Sequence, residues 1–206
     1  MHQPATQPRP SLYYPYQVFQ PWLPSLHPPQ ARQQVVIAGS GPAGMVTALE
    51  LARHGVPSVV LTAELQFSQG SRAIVFTRRS MEILQQVGTA DRMTANGLPW
   101  RFGNSFYRGQ RVFRMEAPHD PDDRFFPLLN IQQQYMEEYL FDACAANPLI
   151  DFRWGNKVEG VTQRQGYAEV RVDTPEGEYT LRTDWLVDAT GGRSAIRTAM
   201  NLQMEG

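Results

Sequence analysis

The sequence predicts an α/β fold opened by a βαβ unit, and three stretches carry that prediction. Residues 35–55 read VVIAGSGPAGMVTALELARHG, an apolar run, then closely spaced glycines, then a helical pattern that stops at Gly55. The β-branched run Val59 to Leu61 follows as a second strand. Near the other end, WLVDATGGRSAIRTAMN repeats the order of apolar run, glycine turn and helix. Strands joined by such a helical crossover lie parallel, because the helix carries the chain back to the end of the sheet where the first strand began.

In the first turn Gly39, Gly41 and Gly44 stand in G-x-G-x-x-G spacing, with Ser40, Pro42 and Ala43 between them. Gly39 permits the tight turn out of the strand, Gly41 lets the main chain approach a pyrophosphate, and Gly44 lets the helix pack closely on the sheet. Pro42 falls in the first helical turn, where its missing N–H costs nothing. The unpaired N–H groups and the helix dipole then face an anion. A glycine-rich turn without a ligand is the alternative. Strand, turn and helix in this order, followed by a β-branched run, favour the dinucleotide fingerprint.

An acid normally ends the second strand about 20 residues after the glycines and bonds the ribose hydroxyls. Counted from Gly44, that position is Thr62, an uncharged hydroxyl. Glu64 lies two residues on and shares its face if the strand continues. It either reaches the ribose from the turn or is a solvated loop acid.

Residues 1–34 hold half of the 16 prolines, no Asp or Glu, and the aromatics Tyr13, Tyr14, Tyr16, Phe19 and Trp22. Such a stretch is an extended, partly polyproline-like arm. Its aromatics favour an arm laid over its own domain, with a P-x-x-P ligand at Pro21 to Pro24 as the alternative. The domain proper is then 35–206. A helix is expected around Thr77 to Val87, stopped by Gly88, and a short one from Thr89 to Asn96, stopped by Gly97. Trp100 to Met115 alternates around Gly109 as a hairpin. Asn130 is expected to cap a helix from Ile131 to about Ala146, with Tyr135, Met136, Tyr139, Leu140 and Ala143 as its core face.

From Ile150 to Asp188 the segments IDFRW, KVEGVTQ, YAEVRVD and EYTLRT read as short strands broken at Arg164-Gln165-Gly166 and Pro175-Glu176-Gly177. In YAEVRVD, Ala168, Val170 and Val172 face one way and Glu169, Arg171 and Asp173 the other, the alternation of a half-buried antiparallel strand. A buried strand from Trp185 to Val187 then leads through Gly191 and Gly192 into a helix begun by Ser194. This second turn is either a further nest of N–H groups beside the same ligand or an ordinary turn before a helix.

The 206 residues, 42% hydrophobic and 19% charged, are enough for a buried core. A net charge of -1 gives no electrostatic reason for nucleic acid or an anionic membrane as partner. No apolar run reaches bilayer length and the N-terminus lacks a signal-peptide layout. The single cysteine, Cys144, excludes an internal disulfide, in keeping with a cytoplasmic location, and its apolar helical setting favours a buried thiol over a nucleophile. The four histidines show no metal-ligand spacing, so no metal is expected.

GSGPAGMVTALELARHG, GSRAIVFTRRSMEILQQVG, LLNIQQQYMEEYL and DWLVDATGGRSAIR, in that order, resemble the N-terminal half of FAD-dependent aromatic hydroxylases, in particular the phenol and 3-hydroxyphenylpropionate type monooxygenases. The arm with YYPYQ resembles that branch too. The resemblance implies a glutathione-reductase-like FAD-binding domain with a parallel sheet, a β-meander at about 157–183 and inserted substrate-side strands. It implies that Gly39, Gly41 and Gly44 hold the FAD pyrophosphate. Arg72 in GSRAI approaches the phosphates or flavin, or else forms a surface ion pair, and Gln133 matches an Arg or Gln that touches FAD.

Two acids of the pattern are replaced, one by Thr62 and one by Thr190, which precedes Gly191 and Gly192 where the family has Asp-Gly. Asp188 compensates from the preceding strand, or the handling of the nicotinamide donor is weakened. Hydroxylases of this kind continue well past NLQMEG, so the resemblance implies an incomplete domain, a fragment or truncated product. In a complete enzyme NADPH or NADH reduces FAD, and O2 forms a flavin C4a-hydroperoxide that hydroxylates a small phenolic substrate; a homodimer is compatible with this. No paired titratable groups point to a catalytic acid or base. The alternative is a non-catalytic or vestigial FAD- or nucleotide-binding fragment.

Overall fold

Four parallel strands form the centre of the fold, and their order decides where a ligand can sit. The computed structural model describes residues 4–27, 31–69, 74–192 and 194–205. Strand β1 (Gln33–Ala38) leads into helix α1 (Pro42–Arg53) and returns as β2 (Ser58–Leu61), parallel to β1. After β3 (Val75–Thr77), α2 (Arg78–Gln86), α3 (Ala90–Asn96), β4 (Leu98–Trp100), β5 (Phe102–Tyr107), β6 (Gln110–Glu116), β7 (Leu128–Asn130) and α4 (Gln133–Ala145), the chain re-enters this sheet. It does so through β8 (Ile150–Arg153), β9 (Lys157–Arg164), β10 (Tyr167–Thr174) and β11 (Gly177–Asp188), and α5 (Ala195–Ala199) follows. The sheet order is β8-β2-β1-β11-β10-β9.

The chain divides into two compact units, one of residues 1–67 with 140–206 and one of residues 68–139. In the first, Val36, Val59, Leu61, Val170, Val172 and Leu181 form a buried cluster, joined by the partly buried Val158, Tyr179 and Leu186. Helix α1 buries Gly44, Met45, Ala48, Leu49 and Ala52, a stripe of small and apolar residues at helical spacing. In the second unit β3, β7 and β4 form a three-stranded antiparallel sheet and β5 and β6 a hairpin.

Three expectations are corrected. Asn130 does not cap α4: it ends β7, and its side-chain oxygen accepts from Trp100 Nε1 at 2.7 Å. Trp100 belongs to β4, paired with β7, so the hairpin begins only at Phe102. EYTLRT and the run from Trp185 to Val187 are not separate strands but the two halves of β11. Trp185 in it is 71% exposed, not buried.

Residues 4–27 lie extended apart from a 3-10 turn at Pro24–Leu26. The Phe19 N–H donates to Leu65 O at 2.8 Å and the Trp22 N–H to Trp154 O at 2.9 Å. The Phe19 ring stacks on Trp154 with centroids 4.2 Å apart. Trp22 lies 4.0 Å from the guanidinium of Arg153, a residue with 0% exposure that also bonds Asp151 at 2.6 Å. Burying that cation is tolerable because a carboxylate and an aromatic face compensate it.

Candidate functional site

The strand order reverses at β1. From β1 the chain steps to β2 on one side, and it later places β11 on the other. In open α/β sheets the crevice beyond the carboxyl ends of the strands at such a switch point receives ligands. Here Gly39 follows β1, Thr62 follows β2, and Ala189 to Gly192 follow β11.

The three glycines of the first turn differ in what they require. Gly39 has φ +105°, and a Cβ there would drive into the Ala189 carbonyl. Gly44 has no room either, because a Cβ would meet the Gly39 carbonyl oxygen. Gly41, the N-cap of α1, has φ -67° and ψ 176°, a conformation open to any residue, and among the described residues nothing beyond its chain neighbours lies within 4 Å of where its Cβ would be. The fold therefore supplies a reason for glycine at 39 and 44 but none at 41. Beside Gly41, Ser40 and Pro42 are half-buried, Ala43 is exposed, and Pro42 takes the first helical position. The first N–H groups of α1 have no intrahelical partner, so amide donors and the positive end of a 12-residue helix are available to an anion. The residues present fit a diphosphate.

The second glycine turn is tied directly to the first. The Ala189 N–H donates to Ala38 O at 2.8 Å, and Ala189 provides the atoms that exclude a side chain from Gly39. Asp188 braces this turn with both carboxylate oxygens. Oδ1 accepts from the Thr190 N–H at 3.1 Å and its hydroxyl at 2.6 Å, and Oδ2 accepts from the Ser194 hydroxyl. Burial pushes the Asp188 carboxyl up, but the hydrogen bonds from Ser194 and Thr190 outweigh it and hold it below the usual carboxylate range. Ser194 in turn accepts from the Arg197 N–H at 2.9 Å and caps α5. Gly191 has φ +86°, and Gly191 and Gly192 are exposed. Thr190 is thus drawn toward Asp188.

At the end of β2, Thr62 is buried and its hydroxyl accepts from the Glu64 N–H at 3.3 Å. Its backbone ties β2 to the loop after β8, with the Thr62 N–H on Arg153 O at 3.1 Å and the Asn156 N–H on Thr62 O at 2.7 Å. The half-buried Glu64 carboxylate is paired with Arg9 of the N-terminal arm at 3.4 Å. Neither Arg9 nor Gln66, which holds the arm's backbone, was legible as a site residue. Both act across more than fifty positions of sequence, and no motif marks them.

Arg72 lies outside the described residues. Gln133, the first residue of α4, donates to Glu137 at 2.6 Å, and the buried Glu137 also accepts from the Ser68 N–H at 2.8 Å. Cys144 is buried, its pKa pushed up to about 12 by burial, and its thiol points at the Met45 carbonyl. It is an inert packing group at neutral pH. Among the described residues no three His, Cys, Asp or Glu side chains stand together in a group that could hold a metal, and no helix is long and apolar enough to cross a membrane.

A family model described as "FAD binding domain" matches residues 32–206. Para-nitrophenol 4-monooxygenase of a Pseudomonas species is 29% identical over 178 residues, which cover 84% of this chain and 43% of that protein. A 3-(3-hydroxy-phenyl)propionate/3-hydroxycinnamic acid hydroxylase of Burkholderia vietnamiensis is 30% identical, over 85% of this chain and 32% of its own length. The crystal structure of p-nitrophenol 4-monooxygenase from Pseudomonas putida superposes with a TM-score of 0.79 at 26% identity, across 85% of this chain and 45% of that one. The chain thus spans between 32% and 45% of these relatives' length.

Proposed function

Because the chain belongs to the FAD binding domain family, we propose that it is the FAD-holding part of a flavoprotein monooxygenase that hydroxylates a phenolic ring. FAD, reduced by NADPH or NADH and reoxidised by O2, supplies the oxygen-transfer chemistry, which the protein side chains alone do not provide. The aromatic substrate class is carried from relatives whose names describe hydroxylation or oxidation of phenols.

The observation that carries the reading is the open space at Gly41. A glycine that neither its dihedral angles nor its protein neighbours require stands at the mouth of a helix N-terminus and at the switch point of a parallel sheet. A diphosphate explains it: the backbone N–H groups of Gly41, Ala43 and Gly44 bind the oxyanions, and the helix dipole stabilises their charge. The Ala189 to Gly192 turn, stiffened by Asp188, forms the neighbouring wall toward the flavin. Thr62 and Glu64 face the ribose end.

A second reading, a flavin- or nucleotide-binding module without turnover, is favoured by Thr62 and Thr190, which leave two acidic positions of the family pattern neutral. One experiment separates the two. The purified chain is expected to carry or take up FAD, seen as flavin absorbance, and NADPH or NADH is expected to bleach it, faster with a phenol present. Flavin uptake without bleaching selects the binding module, and a chain that stays colourless in excess FAD rejects both.

A further inference from the structure

Between Ala5 and Ser25 the arm is gripped at several places, and several of the grips lie on the segment that leaves β2. Gln66, only 2% exposed, spends its whole amide on arm backbone: Oε1 accepts from the Arg9 N–H at 3.0 Å, and Nε2 donates to Ala5 O at 2.8 Å and Gln7 O at 2.7 Å. The Arg9 side chain then reaches across to Phe67 O and to the Glu64 carboxylate. Phe19 packs among Phe67, Phe141 and Trp154, and Ser25 bonds Glu176. A buried amide whose donors and acceptor all meet arm backbone is a built receptor rather than a chance contact, since the Gln66 amide would be costly to bury without partners.

The location of these grips gives them meaning. Residues 62–67 leave the carboxyl end of β2, which pairs with β1 up to Ala38↔Leu61, and the Gly39 N–H itself donates to Leu61 O at 2.8 Å. The segment that receives the arm is therefore one wall of the switch-point crevice, on the side where a dinucleotide places its ribose. Glu64 is the acid nearest that position, and its partner comes from the arm. An arginine with one N–H on a carboxylate and another on a carbonyl fixes both.

We propose that Arg9 is a positioning residue for the adenosine end of the cofactor: it holds Glu64 and the 62–67 segment in the shape that receives the ribose. Arm docking and FAD binding then strengthen each other, by equal factors in both directions. The inference rests on the FAD-binding reading above and adds to it a site component from outside the glycine fingerprint.

The test uses the full chain and flavin fluorescence to measure affinity for FAD and for FMN, which lacks the adenosine. Arg9→Gln and Glu64→Gln are each expected to weaken FAD binding by about tenfold, within the usual range of coupling between sites. The double variant is expected to be no weaker than either single one, because both remove the same contact. Arg9→Lys is expected to restore part of the loss, and FMN affinity to stay unchanged throughout. In the reciprocal direction, FAD is expected to slow chymotrypsin cleavage at Leu12 and Tyr13, which are 92% and 79% exposed, in the unaltered chain but not in Arg9→Gln. Circular dichroism identifies any variant that fails to fold, and Glu64→Gln, which leaves the arm sequence intact, then carries the comparison.

Unchanged FAD affinity in a folded variant overturns the inference while the FAD-binding reading stands. Tighter FAD binding in Arg9→Gln overturns it too, because the arm would then obstruct the site. Equal losses for FAD and FMN reduce Arg9 to general stability and also overturn it. If the unaltered chain takes up no FAD, the underlying reading fails and the inference falls with it.

Discussion

At Gly39, Gly41 and Gly44 one residue type serves three different physical needs, and substitution tells them apart. In Gly44→Ala the new methyl group meets the Gly39 carbonyl, so the chain is expected to lose about 1–3 kcal/mol or more of stability, read from its thermal melt. In Gly41→Val the side chain enters space that no described residue beyond its chain neighbours fills. The melt without FAD is expected to change little, while FAD affinity falls roughly 10–100-fold. An equal loss of stability in both variants would remove the case for a ligand at Gly41. Asp188 adds a pH dependence of definite sign. Its folded value is lowered, so its support for the second turn is complete above the ordinary Asp value of about 4 and fades as pH falls through the lowered one. FAD affinity is expected to hold from neutral pH down to about 4 and then drop. Asp188→Asn, whose amide nitrogen cannot accept from Ser194, is expected to bind more weakly at pH 7 and to lose this acid step. The glycine spacing was legible because it is local geometry written in adjacent residues, whereas the bonds of Asp188 to Thr190 and Ser194 were not. The pairing of Glu64 with Arg9 was not, because its partners meet only through the fold.

Among the elements, β11 shows where local pattern stops being informative. Its first half pairs antiparallel with β10 and its last half parallel with β1, and Thr183 sits at the handover, opposite both Ala168 and Gln33. A strand that changes neighbours midway changes its burial rule midway, which is why twelve continuous residues read as two strands. Strand β8 was read as a strand, but its place was not legible: adjacent in sequence to the β-meander of β9 to β11, it crosses to the far edge beside β2. Helices α1, α2 and α3 were easier, because glycine stops and apolar periodicity act within a few residues. The arm's aromatics signalled packing, though not against which element. Phe19 sits among Phe67, Phe141 and Trp154, so Phe19→Ala is expected to cost about 2–4 kcal/mol, seen as a lower urea midpoint. Leu12→Ala, at a side chain 92% exposed, is expected to stay within about 0.5 kcal/mol of the unaltered chain. Similar midpoints for the two would mean that the arm is not part of the folded core.

For the whole molecule, the chain divides into two units, and the parallel strands gather the proposed phosphate-binding segments into one of them. Of the positions nominated for FAD, the segments 39–44, 62–67 and 189–192 leave the carboxyl ends of neighbouring strands in the unit that contains β1, whereas Gln133 belongs to the other unit. A ligand that binds only the native state stabilises by mass action, by about 2.7 kcal/mol at a hundred times its dissociation constant. In a chain of this size that raises the melting temperature by roughly 5–10 °C. FAD is therefore expected to raise the melting temperature by that amount, with FMN raising it less because it lacks the adenosine that the β2 end receives. Hydrogen exchange then locates the effect, since amides that bind phosphate or border the cofactor open less often. Protection is expected to rise in the three strand-end segments and to stay unchanged in the β5–β6 hairpin, whose side chains stand largely in solvent. A gain confined to the hairpin, or spread evenly over the chain without a maximum at residues 39–44, would place the flavin somewhere other than the switch point.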